Sequence, residues 1–528
     1  MKNRQLITAT VLVAGILLLV NLLAREYSLR LDFTADKRYT LNKVTKDILK
    51  ELNDPITVTV YFSKDLPPKY SRIRREFKET LQEYGRRSDG KLVYEIINPN
   101  ESKELAAKAL KDGIQPLEVN IREKDQVKAI KAYMGAIVQM GQAREILPIV
   151  LAEPIEYALT TRIKKLTTDK KPKIAFLQGH KEPPLALLTQ LNQILNISYT
   201  PQALFLTDTT KIPEDIRTIA IIAPKDSIPP SHFRQLDEFM AKGGNVTIAI
   251  DKVNLPRQLN QPLAPIKNGL EAWLKTKGVS LEDKLVIDAQ CNKIAVPRQI
   301  GNLTVQSEAQ FPYFPILSKF SSHPVAQGLD AVLYQFAAPL KFSGDPNKTF
   351  TPLAYTSAKS GLLPIKMPVS IEQNFASSFT QPRQVVAAAL EDKATKGKTP
   401  KSRMVVFANG GFIAPQQRGQ TLNQDNVNFM ANAIDWLQRD TKMIELRTKQ
   451  VQYRPLRQGM KEGFKAFIKY FNLLFPMLLV IGYGIYRNQK RKAIRRMRMS
   501  STAIKPESSN LEEKPKEKSG EQDTPKGD

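Results

Sequence analysis

The chain has 528 residues, enough for several domains with substantial cores. Its 42% hydrophobic and 25% charged residues exclude wholesale disorder, and a single cysteine, Cys291, excludes a disulfide framework or a multi-thiolate metal site. A formal net charge of +27 favours anionic partners, but no zinc-finger spacing, RNP-like string or arginine-rich recognition helix accompanies it, so nucleic acid is not expected.

Residues 1–5 carry Lys2 and Arg4 and precede Leu6–Ala24, 19 residues without a charge. As a helix that stretch spans roughly 28 Å, close to the hydrocarbon thickness of a bilayer. Leu22 stands where signal-peptide cleavage after Ala24 would want a small residue, so an uncleaved anchor is expected over a cleaved leader. Residues 25–55 form a polar juxtamembrane segment, whose "RLDFTADKRYTLNKVT" shows neither a helical stripe nor strand alternation.

A first domain is expected over 56–170. "ITVTVYF" (Ile56–Phe62) alternates like a strand, and "YSRIRREFKETLQEYGRR" places Ile73, Phe77, Leu81 and Tyr84 on one helical stripe. "KLVYEIINP" reads as a strand and "ESKELAAKALKDG" as a helix stopped at Gly113. Strand-like runs follow near Pro116–Arg122, Val127–Gln139 and Arg144–Val150, then a helix in "AEPIEYALTTRIKKLTTD". This order fits a thioredoxin-like α/β layout, without the CxxC that redox chemistry would need. Glu153 and Glu156 are read as first-turn carboxylates that suit the helix dipole, not as a catalytic pair.

From 171 to 450 the pattern becomes strand, helix, strand, and so on: "KIAFLQGH", a helix from Pro184 to Leu195, "IRTIAIIAP", then a helix, a Gly243-Gly244 stop and "NVTIAID". Such alternation predicts a parallel α/β sheet, whose ligands bind at the carboxyl ends of strands. Those ends are Gln178–His180, Ala223–Lys225 and Asp251. Residues 261 to about 340 look irregular; "RMVVFANGG" reads as a further buried strand and Asn426–Leu437 as a helix packed on it.

After a linker (451–466), Phe467–Tyr486 reads as a second membrane span, with Pro476 inside it and Tyr470, Tyr483 and Tyr486 suited to the interfaces. Arg487, Lys490, Arg491, Lys492, Arg495, Arg496 and Arg498 follow without an acid between them. By the positive-inside rule both termini are expected in the cytoplasm and the region between the spans outside it, with the basic run also attracting anionic lipid. The Pro-, Ser-, Glu- and Lys-rich tail to residue 528 is expected to be disordered.

The chemistry-bearing motifs are sparse. His180, His232 and His323 lie far apart with no HExxH-like spacing, and no metal or cofactor is expected. His180 at a strand end is the leading functional side chain, with Gln178, Glu182, Lys225 and Asp251 as further ligand-binding candidates. No GxSxG elbow supplies a nucleophile. "TKGKTP" (Thr395–Pro400) has Asp392 where a phosphate loop needs glycine, and reads as a linker.

"RLDFTADKRYTLNKVTKDILKELNDPITVTVYFSKDLPP" (Arg30–Pro68) resembles the start of GldG-type proteins, auxiliary membrane-anchored components of ABC transport systems named from gliding machinery. The likeness continues through "EYALTTRIKKLT", "KIAFLQGHKEP", "LDEFMAKGGNVTIAID", "SHPVAQGL" and "NFMANAIDWL". The family's acidic Gly-Asp-Ser-Asp-like string is "FANGGF" here, and its His-Gly-Glu-like motif is "GHKEP", with Lys181 between histidine and glutamate. The resemblance implies a noncatalytic exported region whose second domain is glutamine-amidotransferase-like, working with a separate ABC ATPase and a multi-span permease. An anionic envelope ligand is a further candidate partner. Two rival readings stay open: an exported hydrolase or transferase using His180 with Glu182, and a purely structural tether. Asp32, Asp36, Lys37, Arg38 and Tyr39, a few residues beyond the anchor and ahead of the strand at Ile56, are expected to dock on the permease or on the base of the chain's own ectodomain.

Overall fold

A short helix, α1 (Lys43–Lys50), precedes the first strand, within residues 25–55, expected as a polar juxtamembrane segment. Asn42 caps it by accepting from the Val44 amide at 2.9 Å, and Val44, Thr45 and Leu49 are buried. The computed structural model describes residues 12–13, 15–16, 40–64, 66–123, 126–150, 154–168, 170–209, 211–255, 261–300, 303–370, 375–393, 402–415, 419–448 and 462–502. They fall into two compact units, Met1–Val451 and Gln452–Asp528. The candidate docking residues Asp32, Asp36, Lys37, Arg38 and Tyr39, together with Glu153 and the Thr395–Pro400 linker, lie outside the described residues. So does Leu6–Ala24, except Leu12, Val13, Gly15 and Ile16, which are helical.

In the first unit, β1 (Ile56–Phe62) runs parallel to β2 (Leu92–Ile97), with α2 (Pro68–Arg87) crossing between them and α3 (Lys103–Lys111) following. A hairpin of β3 (Leu117–Glu123) and β4 (Gln126–Ala132) leads into β5 (Met134–Met140), antiparallel to β1, and then β6 (Ala143–Leu147). The sheet order is β2-β1-β5-β6. The run Val127–Gln139, expected as one strand, is broken at Tyr133. Its amide donates to Ser63 Oγ at 2.9 Å and its carbonyl accepts from the Ser63 amide at 3.0 Å, turning β4 out of the sheet. Alternation along β1 supplies two cores. Ile56, Val58 and Val60 pack with Phe77, Leu81 and Tyr84 of α2 and with Ala158, Leu159 and Ile163 of α4 (Ile155–Thr167). Tyr61 packs on the other face with Ala109, Ile114 and Ile137. Glu156 of α4 accepts from the Asn42 amide at 2.5 Å and Thr45 Oγ1 at 2.8 Å, so it fastens α1 to the sheet's helical layer beyond its dipole role.

The large sheet is built on β7 (Lys173–Gln178), β8 (Thr200–Phe205), β9 (Ile216–Ile222), β10 (Asn245–Ala249) and β21 (Arg403–Phe407), all parallel, in the spatial order β8-β7-β9-β10-β21. Numbered along the chain this is 2-1-3-4-5, a doubly wound order whose crevice lies between the first and third strands. β7, β9, β10 and β21 read as near-continuous apolar runs because they are buried on both faces. On the far side β20 (Val385–Asp392), β18 (Lys348–Tyr355) and the short β15 (Lys319–Phe320) extend the sheet antiparallel to β21 and to one another. The helix expected over Pro184–Leu195 is a 3-10 turn, Leu185–Leu187, followed by α5 (Thr189–Leu195). α6 (Pro230–Ala241) ends at Gly243, at φ +95°, as the sequence suggests. α8 (Gln424–Leu437) is buried from Asn426 to Leu437 and joins the main core.

Residues 261–340 are more ordered than their sequence suggests. They hold α7 (Leu270–Thr276), β11 (Val279–Leu281), β12 (Lys284–Asp288) and a long hairpin of β13 (Cys291–Ile300) with β14 (Leu303–Leu317). β16 (Val332–Leu333) pairs with β14, and just beyond, β17 (Leu340–Phe342) pairs with β11 and β19 (Ser360–Pro364) with β12. Phe311, Tyr313, Phe336 and Phe375 fill a separate aromatic core beneath that hairpin. α9 (Lys442–Thr448) closes the described part of the unit.

The second unit is one helix, α10 (Glu462–Thr502), and its Gly463–Met497 portion is, among the described residues, the one helix long and apolar enough to cross a membrane. Its 41 residues span about 60 Å, twice a hydrocarbon core. The basic run therefore continues the helix instead of starting a coil, and Arg487, Lys490, Arg491, Lys492, Arg495 and Arg496 are exposed on it, while Arg498 lies on its last turns.

Candidate functional site

The carboxyl ends of β7, β9, β10 and β21 meet at the crevice of the large sheet, and most of the sequence-predicted residues meet there with them. β7 runs into Gly179, at φ +115°, then His180. Lys181 adopts a left-handed φ of +58°, which turns its side chain outward to pair with Asp226 at 3.1 Å. That outward turn lets "GHKEP" carry an extra residue: His180 and Glu182 fold back to the same side. Glu182 Oε2 accepts from the His180 amide at 2.7 Å, and Oε1 lies 3.0 Å from His180 Nδ1.

On its other nitrogen, His180 Nε2 lies 3.0 Å from Nδ1 of His232, in the first turns of α6. All three side chains are buried. The bonding is self-consistent when His180 donates from Nδ1 to Glu182 and accepts at Nε2 from His232. Burial, and then the neighbouring His180, holds the His232 imidazole below its usual pKa. Sequence reasoning had no reason to join His232 to the site. Its one signal is position, in "PPSHF", where a helix begins after a strand of the crevice.

Lys225 and Asp251 form a second cluster. The Lys225 and Asp226 amides both donate to the His180 carbonyl at 2.9 Å, tying the loop after β9 to the loop after β7. Lys225 Nζ lies 2.6 Å from Asp251 Oδ2. Asp251 Oδ1 accepts from Asn409 Nδ2 at 2.8 Å and from the Gly410 and Gly411 amides at 2.6 and 3.1 Å. The "FANGG" segment that stands in place of an acidic string thus supplies donors to an aspartate from a neighbouring strand. Gly410 is required by close approach: a Cβ there would lie 2.5 Å from Ala223 Cβ and 3.1 Å from the Ala249 carbonyl. Gln178 is a brace, its Nε2 donating to the carbonyls of Leu177 and Pro183.

The arrangement orders loops more readily than it attacks a bond. The bonds His180 makes among the described residues are to Glu182, His232 and backbone amides, and no Ser, Thr or Cys side chain joins them. Cys291, half-buried, begins β13, away from the crevice strands, and burial pushes its thiol pKa up, away from the reactive thiolate. Among the described residues no group of three or more His, Cys, Asp or Glu side chains is placed to hold a metal ion.

With this geometry, the class of protein follows from comparison. Residues 171–436, just over half of the chain, match the family described as an ABC-type uncharacterized transport system, and the chain belongs to that family. Residues 35–139 match a domain of unknown function. An uncharacterized protein of Borreliella burgdorferi is 20% identical over 492 residues, covering 88% of this chain and 94% of that one. Among solved structures, the mmIFT52 N-terminal domain aligns with 53% of this chain and 100% of its own at 12% identity and a TM-score of 0.34. PurLQS from Thermotoga maritima covers 51% of this chain and 100% of its own at 9% identity and a TM-score of 0.26. Scores this low carry no argument about function.

Proposed function

We propose that this auxiliary component of an ABC-type transport system is anchored by two membrane helices, of the GldG type, with both termini in the cytoplasm and a noncatalytic α/β region outside it. Its partners are a separate ABC ATPase and a multi-span permease. The observation that carries the noncatalytic reading is the closure of the crevice upon itself: the ring nitrogens of His180 are taken by Glu182 and by His232 of α6, and the oxygens of Asp251 by Lys225 and the segment after β21. Groups so engaged fix four strand ends relative to one another, which suits a rigid scaffold for other subunits. The β2-β1-β5-β6 order supports a thioredoxin-like reading of residues 56–170, and the 2-1-3-4-5 order supports an amidotransferase-like reading of residues 171–450. Purification of the tagged chain from mild detergent tests the assignment. Co-purification of an ATPase and a multi-span permease is expected, and recovery of the chain alone would refute it. Reporter fusions at Asp251 and Asp528 test the topology, and a cytoplasmic Asp251 would overturn it.

One observation favours a hydrolytic role: Glu182–His180 has the orienter-and-base spacing of a catalytic pair. Replacement of His180 and Glu182 by alanine separates the two. Unchanged transport with a destabilised fold is expected from a scaffold, whereas lost transport in a normally folded, normally assembled variant would favour the enzyme.

A further inference from the structure

We infer that the first unit carries a binding site for a phosphoryl anion, in a cavity of about 380 Å³ lined by Lys64, Ser71, Arg74, Arg75, Lys78 and Ile96. The site is distinct from the crevice of the large sheet. Among the described residues, four of the six that line it are cations and none is a carboxylate. Arg74, Arg75 and Lys78 recur at helical spacing along the middle of α2, and Lys64 reaches in from the loop after β1. The place follows from topology. β1 and β2 are the parallel pair of this sheet, Lys64 lies just beyond the carboxyl end of β1, and Ile96 is next to the end of β2. Carboxyl ends of parallel strands are where open α/β sheets take ligands.

Arg74 is the centre of the case. It is half-buried, its Nε is shut off from solvent, and that Nε has no hydrogen-bond partner among the described residues. Arg74, Arg75 and Lys78 form no ion pair among the described residues, although α2 carries Glu76, Glu79 and Glu83. Lys64 does have a partner, Glu101 at 2.5 Å, and Lys64, followed by Asn98, holds the Glu101 carboxyl below its usual pKa. A planar guanidinium flanked by ammonium groups matches a phosphate monoester or diester, which accepts the two-pronged bond that a lone chloride does not. The volume admits more than the phosphate itself, such as an attached glycerol or sugar.

The inference does not depend on the identity of the transport partners: a chain that co-purifies them but ignores phosphate refutes this site alone. The test uses the full chain in detergent and follows thermal unfolding against inorganic phosphate and glycerol phosphate, with chloride at matched ionic strength. A saturable rise in Tm with the phosphates and not with chloride is expected. Arg74→Gln/Lys78→Gln should weaken the apparent affinity about tenfold or more, the loss of charge-assisted bonds, while Arg72→Gln, an exposed α2 cation outside the cavity, should leave it unchanged. Equal responses in the wild type and the double variant, or an equal response to chloride, would overturn the site. The sources are then separated in nanodiscs. Phosphatidylglycerol discs that abolish the response to soluble phosphate, where phosphatidylcholine discs do not, identify a lipid headgroup; a response that persists in both identifies a soluble phosphate.

Discussion

Arg447→Met is the sharpest probe of how the large sheet and its last helices are held together. Arg447 on α9 and Asp435 on α8 are almost wholly buried, and their guanidinium and carboxylate meet at 2.8 Å. The guanidinium also donates to Asn432 Oδ1 at 2.5 Å, and Asp435 accepts from Tyr199 Oη at 2.9 Å. Methionine keeps much of the side-chain volume but strands a buried carboxylate with Tyr199 as its remaining donor among those named. Breaking one side of such a pair costs about 3–5 kcal/mol. Burial already raises the Asp435 carboxyl above its usual pKa while Arg447 works against it, so the variant's folded-state value rises further. A carboxyl raised in the folded state lends stability below its unfolded pKa and loses it as pH rises through the folded one. The deficit relative to wild type should therefore narrow between pH 7.5 and pH 4.5. Urea unfolding of the detergent-solubilised chain measures this, because Trp436, next to Asp435 and beneath the Arg403 guanidinium at 4.6 Å, is one of two tryptophans. Arg447→Met/Asp435→Leu should recover at least half of the loss, since a packed apolar pair replaces a buried ionic one at little cost. A single variant within about 1 kcal/mol of wild type, or a deficit that widens on acidification, would refute the reasoning.

Further expectations are independent of that pair. Burial, then Arg403, lowers the His323 imidazole from 6.5 to about 4, and its Nδ1 accepts from the Val325 amide at 3.2 Å, a bond only the unprotonated nitrogen makes. A histidine depressed on folding costs stability as pH falls from about 6.5 towards 4. For this half-buried ring, solvent screening leaves about 1–2 kcal/mol, and His323→Gln should flatten that part of the urea-midpoint profile. Gly410→Ala should cost about 2 kcal/mol by overpacking against Ala223, read as a lower Tm. Ala223 itself sits at φ +46°, so Ala223→Gly should raise the Tm and restore part of the loss in the double variant. Glu156→Gln should weaken the anchoring of Asn42 and Thr45 by about 1–2 kcal/mol, and limited proteolysis should then cut earlier within Lys43–Lys50.

The crevice was legible because its strands are buried on both faces: "KIAFLQ", "IRTIAII" and "NVTIA" stand out as apolar runs, and the polar residues two or three positions beyond them, His180, Lys225 and Asp251, mark carboxyl ends. What those polar residues bond to was not legible. The His180–His232 contact joins positions 52 apart, and Asp251 Oδ1 finds its donors more than 150 residues downstream, where "NGG" reads from sequence as a turn. α1 escaped notice because eight residues make a weak helix on their own, and this one is fastened by Glu156 of α4, 114 residues from Asn42. The β13–β14 hairpin was hidden by Pro297, Pro312 and Pro315, which argue against central strands, yet Pro297 lies on the edge strand β13 and Pro312 falls in the register break between the Lys293–Gln310 and Cys291–Pro315 pairs. The break at Tyr133 depends on Ser63, seventy residues earlier, and leaves no local trace.

The order in which the large sheet is written along the chain has a temporal consequence. β10 ends at Ala249 and its parallel neighbour β21 begins at Arg403, so about 150 residues separate two adjacent strands at the middle of the sheet. At synthesis rates of about 5–20 residues per second, β10 waits about 8–30 s with one edge unpaired before β21 has been made. An apolar strand left open for that long is a template for wrong pairing. The intervening segments, with their own aromatic core around Phe311 and Tyr313, can fold during the wait, but in the folded chain that edge is paired with β21. A nascent chain stalled before Arg403 should therefore expose a lasting sticky edge, and holdase capture should peak at that length and fall once residue 437, the end of α8, has emerged.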